Sequence, residues 1–260
     1  MKFKSKDELT KWALEGQYLW LFLDYDGTLA DFAPTPDHIE PNPRLIQLLE
    51  RLADKPSMRL TVISGRRLGH IRQLLPISGI FLAGTYGTEL LLPVGETSQR
   101  LEYGDIRPAL ERLKQKWQQI ITGRNGFYLE DKGWTLALHA RFADDTEAEQ
   151  VLAQAQQGID QNFHDGRFRI LGGHKFLEIA PLLASKRETV SYLLDHYPFP
   201  GARLLYIGDD DKDEEAFSVI HAHHGVAVKV LQPSQASQPT EADFFLESPE
   251  ETLHWLEAFV

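Results

Sequence analysis

The sequence contains no cysteine among its 260 residues. Disulfide bonds and thiolate metal sites are therefore excluded, and we expect a reducing, cytoplasmic location. No apolar run approaches the length of a membrane-spanning helix, and no signal-peptide pattern follows the lysine-rich start, so we expect no membrane partner. Basic residues are also few, since 27 Lys and Arg stand against 38 Asp and Glu. The formal charge of −11 argues against nucleic acid as a partner.

What the sequence does contain is a core-forming pattern, because 42% of its residues are hydrophobic. Helical and strand patterns alternate in both flanks of the chain, which predicts an α/β fold built on a doubly wound parallel sheet. In the middle the order changes to helix, hairpin, helix, hairpin, which is typical of a separate α+β unit. We therefore expect a core formed by residues 1–95 and 184–260, and an inserted cap domain at residues 96–183.

The boundaries of these predicted elements follow from apolar periodicity and turn residues. In the flanks we expect helices at 2–15, 43–53, 68–75, 186–197, 213–222 and 249–259, and strands at 18–23, 60–63, 80–83, 203–207, 226–230 and 243–246. In the cap we expect helices at 106–121 and 146–163, and strands at 127–130, 134–142, 167–171 and 175–180. Prolines break the loop at residues 33–37.

The strand predicted at residues 18–23 is entirely apolar and aromatic, so it is expected to be buried on both faces of the sheet. Asp24 and Asp26 follow it at once, and Gly27 then allows a sharp turn. Charges at the end of a buried strand are costly unless a partner such as a divalent cation compensates them. The alternative is an ordinary Asp-Gly turn, which is common in sheet proteins.

Other polar residues occupy comparable positions. Ser64 stands at the end of a second apolar strand, and Lys186 opens a helix after a polar turn. Asp209 and Asp213 follow a third apolar strand. The chain therefore carries four such segments in order: Asp24 to Thr28, Ser64, Lys186, and Asp209 with Asp213. Together they resemble the four motifs of the haloacid-dehalogenase-like phosphatases. The resemblance implies a doubly wound core with a large α/β cap inserted in it.

The resemblance also implies the chemistry of the core. Asp24 matches the family's nucleophile, which forms an aspartyl-phosphate, and Asp26 matches its general acid and base. Lys186 matches the lysine that places a positive charge toward the phosphate. The implied cofactor is Mg²⁺, bound by Asp24, Asp209 and the backbone carbonyl of Asp26.

A second group of residues is implied to lie around the phosphate. Ser64, followed by Gly65 and Arg66, would bind phosphate oxygens, although a serine at a strand end is otherwise a helix cap. Thr28 either donates to the phosphate or caps its loop. Asp213, placed in the same group, would hold a magnesium-bound water or Lys186, or it is simply an acidic residue in a first helical turn.

Within the superfamily, the chain resembles the trehalose-6-phosphate phosphatase family over nearly its whole length. The matching segments are residues 63–66, 137–141, 173–179 with Pro181, and 208–217. The implied substrate is a small sugar phosphate, hydrolysed by a monomeric enzyme once the cap closes over the core. Cap residues with suitable hydrogen-bonding groups for the sugar are His139, Arg141, His174, Lys175 and Glu178. Alternatively, His139 and Arg141 form the solvent face of a strand.

Three residues depart from the family pattern. Lys212 stands where the family usually has threonine, Tyr86 replaces a histidine, and His174 replaces a lysine. None of them is the expected nucleophile or acid, so they bear on the substrate and leave the reaction class unchanged. Another sugar phosphate, or a glycosyl-phosphoglycerate, stays open as the substrate. A phosphomutase of the same fold and a non-catalytic regulatory module stay open as functions, whereas a receiver-type domain lacks this motif spacing and the cap.

Overall fold

The computed structural model describes residues 2–32, 40–159, 163, 166–232 and 239–260. The proline-broken loop expected at residues 33–37 lies outside the described residues. The chain forms two compact units, which are described separately below. The first unit combines Met1–Ser98 with Ser185–Val260, and the second is Gln99–Ala184.

The helices and strands are numbered along the chain. The helices are α1 Lys6–Leu14, α2 Pro43–Ala53, α3 Leu68–Leu74, α4 Tyr103–Ile121, α5 Asp145–Gln157, α6 Lys186–His196, α7 Asp211–Ala222 and α8 Pro249–Leu256. The strands are β1 Tyr18–Leu23, β2 Met58–Ile63, β3 Phe81–Gly84, β4 Glu89–Leu91, β5 Thr97–Gln99, β6 Tyr128–Asp131, β7 Leu136–His139, β8 Phe168–Gly173, β9 Phe176–Pro181, β10 Ala202–Gly208, β11 Val226–Val230 and β12 Phe244–Leu246.

The first unit is built on one large sheet. Its strands in the described chain follow the order β12-β11-β10-β1-β2-β3-β4-β5, and every pair from β12 to β3 is parallel. Apolar residues of the sheet and of the surrounding helices form two buried clusters. The α/β fold with a large parallel sheet, predicted from the alternating pattern, is thus confirmed.

The start of α2, the helix that follows β1 in the sequence, is determined by local residues. The side chain of Asn42 accepts hydrogen bonds from the backbone N–H groups of Arg44 and Leu45, and Pro43 occupies the first helical position of α2. Four leucines of α2 are buried together: Leu45, Leu48, Leu49 and Leu52. The bounds predicted for this helix are confirmed.

The second unit is an antiparallel sheet in the order β6-β7-β9-β8, with α4 and α5 contributing to one apolar cluster with its strands. Trp117 lies in that cluster and donates its indole N–H to the carbonyl of Ala155, which joins the two helices. Both predicted hairpins are confirmed, because β6 pairs with β7 and β8 pairs with β9 in antiparallel register. One face of the sheet packs on the helices.

Several predicted boundaries were wrong. The strand expected to reach residue 142 ends at His139, because the chain turns there and the N–H of Ala143 bonds the carbonyl of Ala140. The helix expected to end near Phe163 ends at Gln157, with Gly158 as its C-cap; residues 160–162 lie outside the described residues. Strands β4 and β5 were not predicted, since each has only three residues.

No helix of the described residues combines the length and the apolar character that crossing a bilayer requires.

Candidate active site

Strand β1 lies where the order of the sheet reverses, since β2 and β3 lie on one side of it and β10 and β11 on the other. In the parallel register, Leu23 at its end lies opposite Ile207 and Val62. The residues that follow these three strands therefore meet at one edge of the sheet. At such a switch point the diverging loops form a crevice, which is the usual ligand site of open α/β sheets.

Asp24 is the first residue beyond β1 and is 5% exposed. Its backbone N–H donates to the carbonyl of Ile207 at 2.9 Å, which fixes the backbone against β10. Its Oδ1 accepts a hydrogen bond from Lys186 Nζ at 2.7 Å. Lys186 is the first residue of α6, which Ser185 caps. The sheet and one helix start therefore hold the expected nucleophile and lysine together.

Asp213 is completely buried and holds Lys186 from the other side, at 2.7 Å from Nζ to Oδ1. The hydroxyl of Tyr206 donates to the same oxygen at 2.7 Å. Its Oδ2 accepts the backbone N–H groups of Asp209 and Asp210 at 3.0 and 3.1 Å. Because both oxygens are engaged, Asp213 supports the site from behind. Of the roles expected for Asp213, the structure shows the contact with Lys186 and the position in the first turn of α7.

The electrostatics of the cluster are unusual. Burial raises the pKa of Asp24 to about 8, against the opposing effect of Lys186. Burial and the Asp213 charge likewise raise the pKa of Asp209 to about 8. Burial acts to lower the pKa of Lys186, but nearby carboxylates, Asp210 first among them, raise it well above its ordinary value. Two buried carboxylates that resist ionisation together indicate a place for a further cation.

The donor set fits a magnesium ion. One carboxylate oxygen from each of Asp24, Asp209 and Asp213 lies within 4.8 Å of the others. Oδ2 of Asp209 is buried and has no hydrogen-bond partner among the described residues, while its Oδ1 accepts the hydroxyl of Thr28 at 3.4 Å. Mg²⁺ prefers oxygen ligands, and this carboxylate oxygen is available to bind it. Thr28 is fully buried, and its hydroxyl orients Asp209.

Asp26 lies two residues beyond Asp24 and is held by Arg66. The guanidinium donates from Nε to Oδ2 at 2.8 Å and from its second terminal nitrogen to Oδ1 at 2.6 Å. Such a two-pronged pair fixes the orientation of the carboxylate as well as its charge. In this structure Arg66 thus contacts the expected general acid, whereas the family resemblance implied a phosphate contact.

The loop after β2 contains Ser64, which is completely buried. Its hydroxyl oxygen accepts the backbone N–H of Arg66 at 3.1 Å, so that N–H is engaged within the loop. Gly65 lies between them, and a Cβ on it would meet the Tyr86 hydroxyl at 2.7 Å. The loop that is expected to bind phosphate is therefore tightly enclosed.

Gly27 provides a first test of this geometry. Its φ is +84°, and a Cβ there would lie 2.4 Å from Asp209 Oδ2. Gly27→Ala is therefore expected to lower the free energy of unfolding by about 1–3 kcal/mol more than backbone strain alone would. Gly79→Ala is the matched control, because φ is +80° there and no atom lies within 4 Å of the added Cβ. Urea denaturation of both variants measures the difference, and equal losses would contradict the close approach.

The polar face of the second unit brings several charged residues together. Glu178 is completely buried, and its Oε1 lies 3.8 Å from Lys132 Nζ. Lys132 also lies 3.5 Å from Glu130, whose Oε2 is 3.0 Å from His139 Nε2. The His139 ring stacks on Tyr128 at 4.5 Å between centroids. His139 and Glu178 therefore belong to one network.

The other three cap candidates are placed differently. Lys175, with φ +55°, directs its ammonium to the carbonyl of Ala143 and to Asp145 Oδ1, each at 2.6 Å. His174 is exposed and Arg141 is exposed. Lys175 is therefore engaged away from Glu178, whereas the charge of Arg141 acts on Tyr128, the ring on which His139 stacks.

Sequence reasoning missed several residues of both clusters. Glu130 and Lys132 were treated only as part of a hairpin, although their spacing of two along a strand places them on one face. Tyr206 was treated as part of an apolar strand, where its hydroxyl was the available signal. Tyr86 was noted only as a departure from the family pattern, and its hydrogen bond with Lys212 joins residues 126 positions apart.

Comparisons with known proteins agree with this geometry. The sequence model of the trehalose-phosphatase family matches residues 22–250. A probable trehalose-phosphate phosphatase of Sinorhizobium fredii is 34% identical over 235 residues, which cover 89% of this chain and 82% of that protein. The trehalose-phosphate phosphatase of Mycobacterium bovis is 31% identical over 233 residues, 88% of this chain but only 58% of the longer relative.

Solved structures show the same fold at lower identity. The C-terminal domain of Candida albicans trehalose-6-phosphate phosphatase superposes with a TM-score of 0.84 at 21% identity, covering 99% of this chain and 97% of that one. The C-terminal domain of the Candida albicans trehalose synthase regulatory protein superposes with a TM-score of 0.77 at 15% identity, and the match covers 98% of each chain. Both likenesses concern the fold.

A doubly wound sheet with clustered aspartates and a buried lysine at its switch point, together with the four motifs in order and a second unit inserted in the chain, identifies the class of haloacid-dehalogenase-like phosphatases. Within that class, the chain belongs to the trehalose-phosphatase family, a family of phosphoric monoester hydrolases.

Proposed function

We propose that this chain is a magnesium-dependent phosphatase that converts trehalose 6-phosphate and water to trehalose and phosphate through an aspartyl-phosphate. One observation carries the proposal: Asp24 lies at the switch point, 2.7 Å from Lys186 Nζ and in one carboxylate cluster with Asp209, whose Oδ2 lacks a hydrogen-bond partner among the described residues. The relatives, which are named for trehalose phosphate, support the choice of substrate. Non-catalytic modules of this fold typically lose the nucleophile or the metal aspartate, whereas this chain keeps both Asp24 and Asp209.

In the first step, an oxygen of Asp24 attacks the phosphorus atom, and the bond from phosphorus to the sugar oxygen breaks. Asp26 gives a proton to the departing sugar oxygen. Lys186 keeps the ammonium beside Asp24, where it stabilises the negative charge of the phosphoryl group. The O–H of Ser64 is the loop's donor to a phosphate oxygen.

In the second step, Asp26 takes a proton from water, and the resulting oxygen attacks phosphorus and releases Asp24 with inorganic phosphate. The guanidinium of Arg66 donates hydrogen bonds to both oxygens of Asp26 and so fixes the orientation of that side chain.

Asp24, Asp209 and the backbone carbonyl of Asp26 would hold the magnesium ion, which supplies positive charge against the clustered carboxylates and the phosphate. Asp213 is the residue that positions Lys186, because both of its oxygens already accept hydrogen bonds from the protein. The monomeric state and the cytoplasmic location stay predictions.

A phosphate-release screen tests the function. The panel contains trehalose 6-phosphate, glucose 6-phosphate, a glycosyl-phosphoglycerate and a small aryl phosphate, each with and without Mg²⁺. We expect the highest kcat/KM for trehalose 6-phosphate and only with the metal present. A higher kcat/KM for another sugar phosphate would show that this compound is the preferred substrate, and the assignment as a phosphatase would stand. Release that requires an activating bisphosphate would indicate a phosphomutase.

Glu178 is proposed to bind hydroxyl groups of the sugar unit that lies away from the phosphate. Hydrogen bonds to hydroxyls discriminate strongly, because a wrong ligand leaves buried polar groups without partners. Glu178→Ala is therefore expected to cost about 2–4 kcal/mol in kcat/KM for trehalose 6-phosphate. The same variant should hydrolyse the aryl phosphate almost normally. Initial rates on both substrates measure the difference.

Glu149→Ala, an exposed change on α5 of the same unit, is the control and should alter neither rate. Equal losses on both substrates for Glu178→Ala would show that this residue supports the fold or the chemistry, which contradicts a role in reading the sugar.

A further inference from the structure

Tyr86 lies in a turn of three consecutive residues with left-handed backbone: Thr85 at φ +46°, Tyr86 at φ +55° and Gly87 at φ +90°. Residues other than glycine adopt this conformation at a cost, and strain of this kind persists only where surrounding contacts enforce it. Here the N–H of Thr85 donates to the carbonyl of Arg66 at 2.6 Å, and that of Tyr86 to the carbonyl of Ser64 at 2.9 Å. The turn is therefore tied to the loop after β2.

The same turn is tied to the helix that begins with Lys186. The hydroxyl of Thr189 donates to the carbonyl of Tyr86 at 2.7 Å. A Cβ on Gly87 would lie 1.9 Å from that hydroxyl oxygen, so the turn and α6 are in direct contact. The strained backbone of Tyr86 thus connects two of the elements that form the site.

The side chain of Tyr86 adds a third connection. It is 5% exposed, and its hydroxyl lies against Gly65, where a Cβ would approach to 2.7 Å. The hydroxyl accepts a hydrogen bond from Lys212 Nζ at 2.5 Å, and the same nitrogen lies 4.5 Å from the centre of the ring. Lys212 is the second residue of α7, the helix that also contains Asp213.

The charges around the site indicate what the contact between Tyr86 and Lys212 does. Six aspartates lie in the Asp24 segment and at the start of α7 (Asp24, Asp26, Asp209, Asp210, Asp211 and Asp213), while Lys186 and Arg66 are already bound to members of that group. The whole chain carries −11 as well. An entering phosphate therefore meets repulsion, and a cation held beside the Ser64 loop reduces it.

We infer that Tyr86 and Lys212 are a positioning pair for the phosphate end of the site: the Tyr86 hydroxyl holds the Lys212 ammonium beside Gly65, where its charge strengthens the binding of a phosphate anion. Tyr86 acts through Lys212 and through the loop it encloses, and neither residue takes part in bond making. The inference rests on the proposed function for its substrate. Its immediate ligand is inorganic phosphate, the product of that reaction.

The test measures the binding of inorganic phosphate by calorimetry, in the presence of Mg²⁺, together with kcat and KM for trehalose 6-phosphate. Tyr86→Phe and Lys212→Met are each expected to raise the phosphate Kd and the KM about tenfold, with kcat changed less than about threefold, because a local charge is displaced or lost. The double variant should lose no more than Lys212→Met alone. Lys212→Arg keeps the charge and should restore part of the binding.

Lys11→Met removes one positive charge from an exposed position on α1 and is the control for net charge; it should leave the phosphate Kd unchanged. Wild-type Kd and KM in folded Tyr86→Phe and Lys212→Met would overturn the inference, as would lowered melting temperatures with unchanged KM. If the wild-type protein binds phosphate but releases none from any sugar phosphate, the proposed function fails, and the phosphate Kd of the variants still decides the pair. A wild-type protein that binds no phosphate overturns the inference, while the phosphate-release screen decides the proposed function separately.

Discussion

Asp24→Asn is expected to reduce phosphate release from trehalose 6-phosphate by at least about a thousandfold, the scale of removing an essential nucleophile. The amide has the shape of the carboxylate but cannot attack phosphorus. Steady-state phosphate release, followed to the detection limit, measures the loss. Normal turnover by a folded variant would exclude the covalent mechanism.

The same variant should stay folded, and the pKa of Asp24 gives the sign of the stability change. An aspartate titrates near 3.8 when it is unperturbed, whereas burial raises the pKa of Asp24 to about 8. Between pH 3.8 and about 8, the unfolded chain ionises Asp24 whereas the folded protein keeps it largely protonated, so stability falls as the pH rises through this window. At neutral pH the carboxyl group therefore opposes folding, and an amide, which does not ionise, removes that cost. Without metal, thermal unfolding at neutral pH should show a melting temperature at or above that of the wild type. A clearly lower melting temperature would indicate that Asp24 stabilises the fold.

Removal of Mg²⁺ is expected to have the second large effect. Exhaustive chelation should lower phosphate release at least about a hundredfold, because the buried carboxylates then repel both one another and the phosphate. Added Mg²⁺ should restore the rate. Undiminished turnover after chelation would contradict the assignment of Asp24, Asp26 and Asp209 as ligands.

Two further measurements locate the metal. Asp209→Ala should weaken Mg²⁺ binding in calorimetry, because it removes the carboxylate whose Oδ2 has no hydrogen-bond partner among the described residues. Ca²⁺ should inhibit the wild type, since it is larger and takes more ligands in a looser geometry. Substitution of Glu149, which is exposed on α5, should leave metal binding unchanged.

Much of the core site could be predicted from the sequence because parallel strands bring their carboxyl ends to one edge. Asp24, Ser64 and Asp209 each follow an apolar strand, so their proximity required only the sheet topology. The contact between Lys186 and Asp213 is less local. It followed from the motif resemblance and not from the spacing of the residues.

Contacts among long side chains could not be predicted in the same way. Arg66 suits a phosphate and a carboxylate equally well, and only the folded loops show that it binds Asp26. Tyr86 and Lys212 lie 126 residues apart, and each departs from the family pattern by itself. In the structure these two residues contact each other, and no periodicity or turn pattern in the sequence predicts that contact.

In the second unit, His139 was expected either to bind the sugar or to lie on the solvent face of a strand, and Glu178 was expected to bind the sugar. The sequence did not reveal that Glu130 and Lys132 link these two residues. Lys175 was expected to bind substrate because it can donate hydrogen bonds to sugar hydroxyls. Its left-handed backbone turns the side chain toward Ala143 and Asp145, a direction that a strand pattern does not indicate.

The central claim is that Asp24 becomes covalently phosphorylated, and trapping the intermediate tests it most directly. Asp26→Asn lacks the base of the second step, so brief incubation with an activated aryl phosphate and Mg²⁺, followed by acid quench and peptide mass spectrometry, should place one phosphoryl group on Asp24. The double variant with Asp24→Asn should carry none. A phosphoryl group on another residue, or an equal amount in the double variant, would contradict the account.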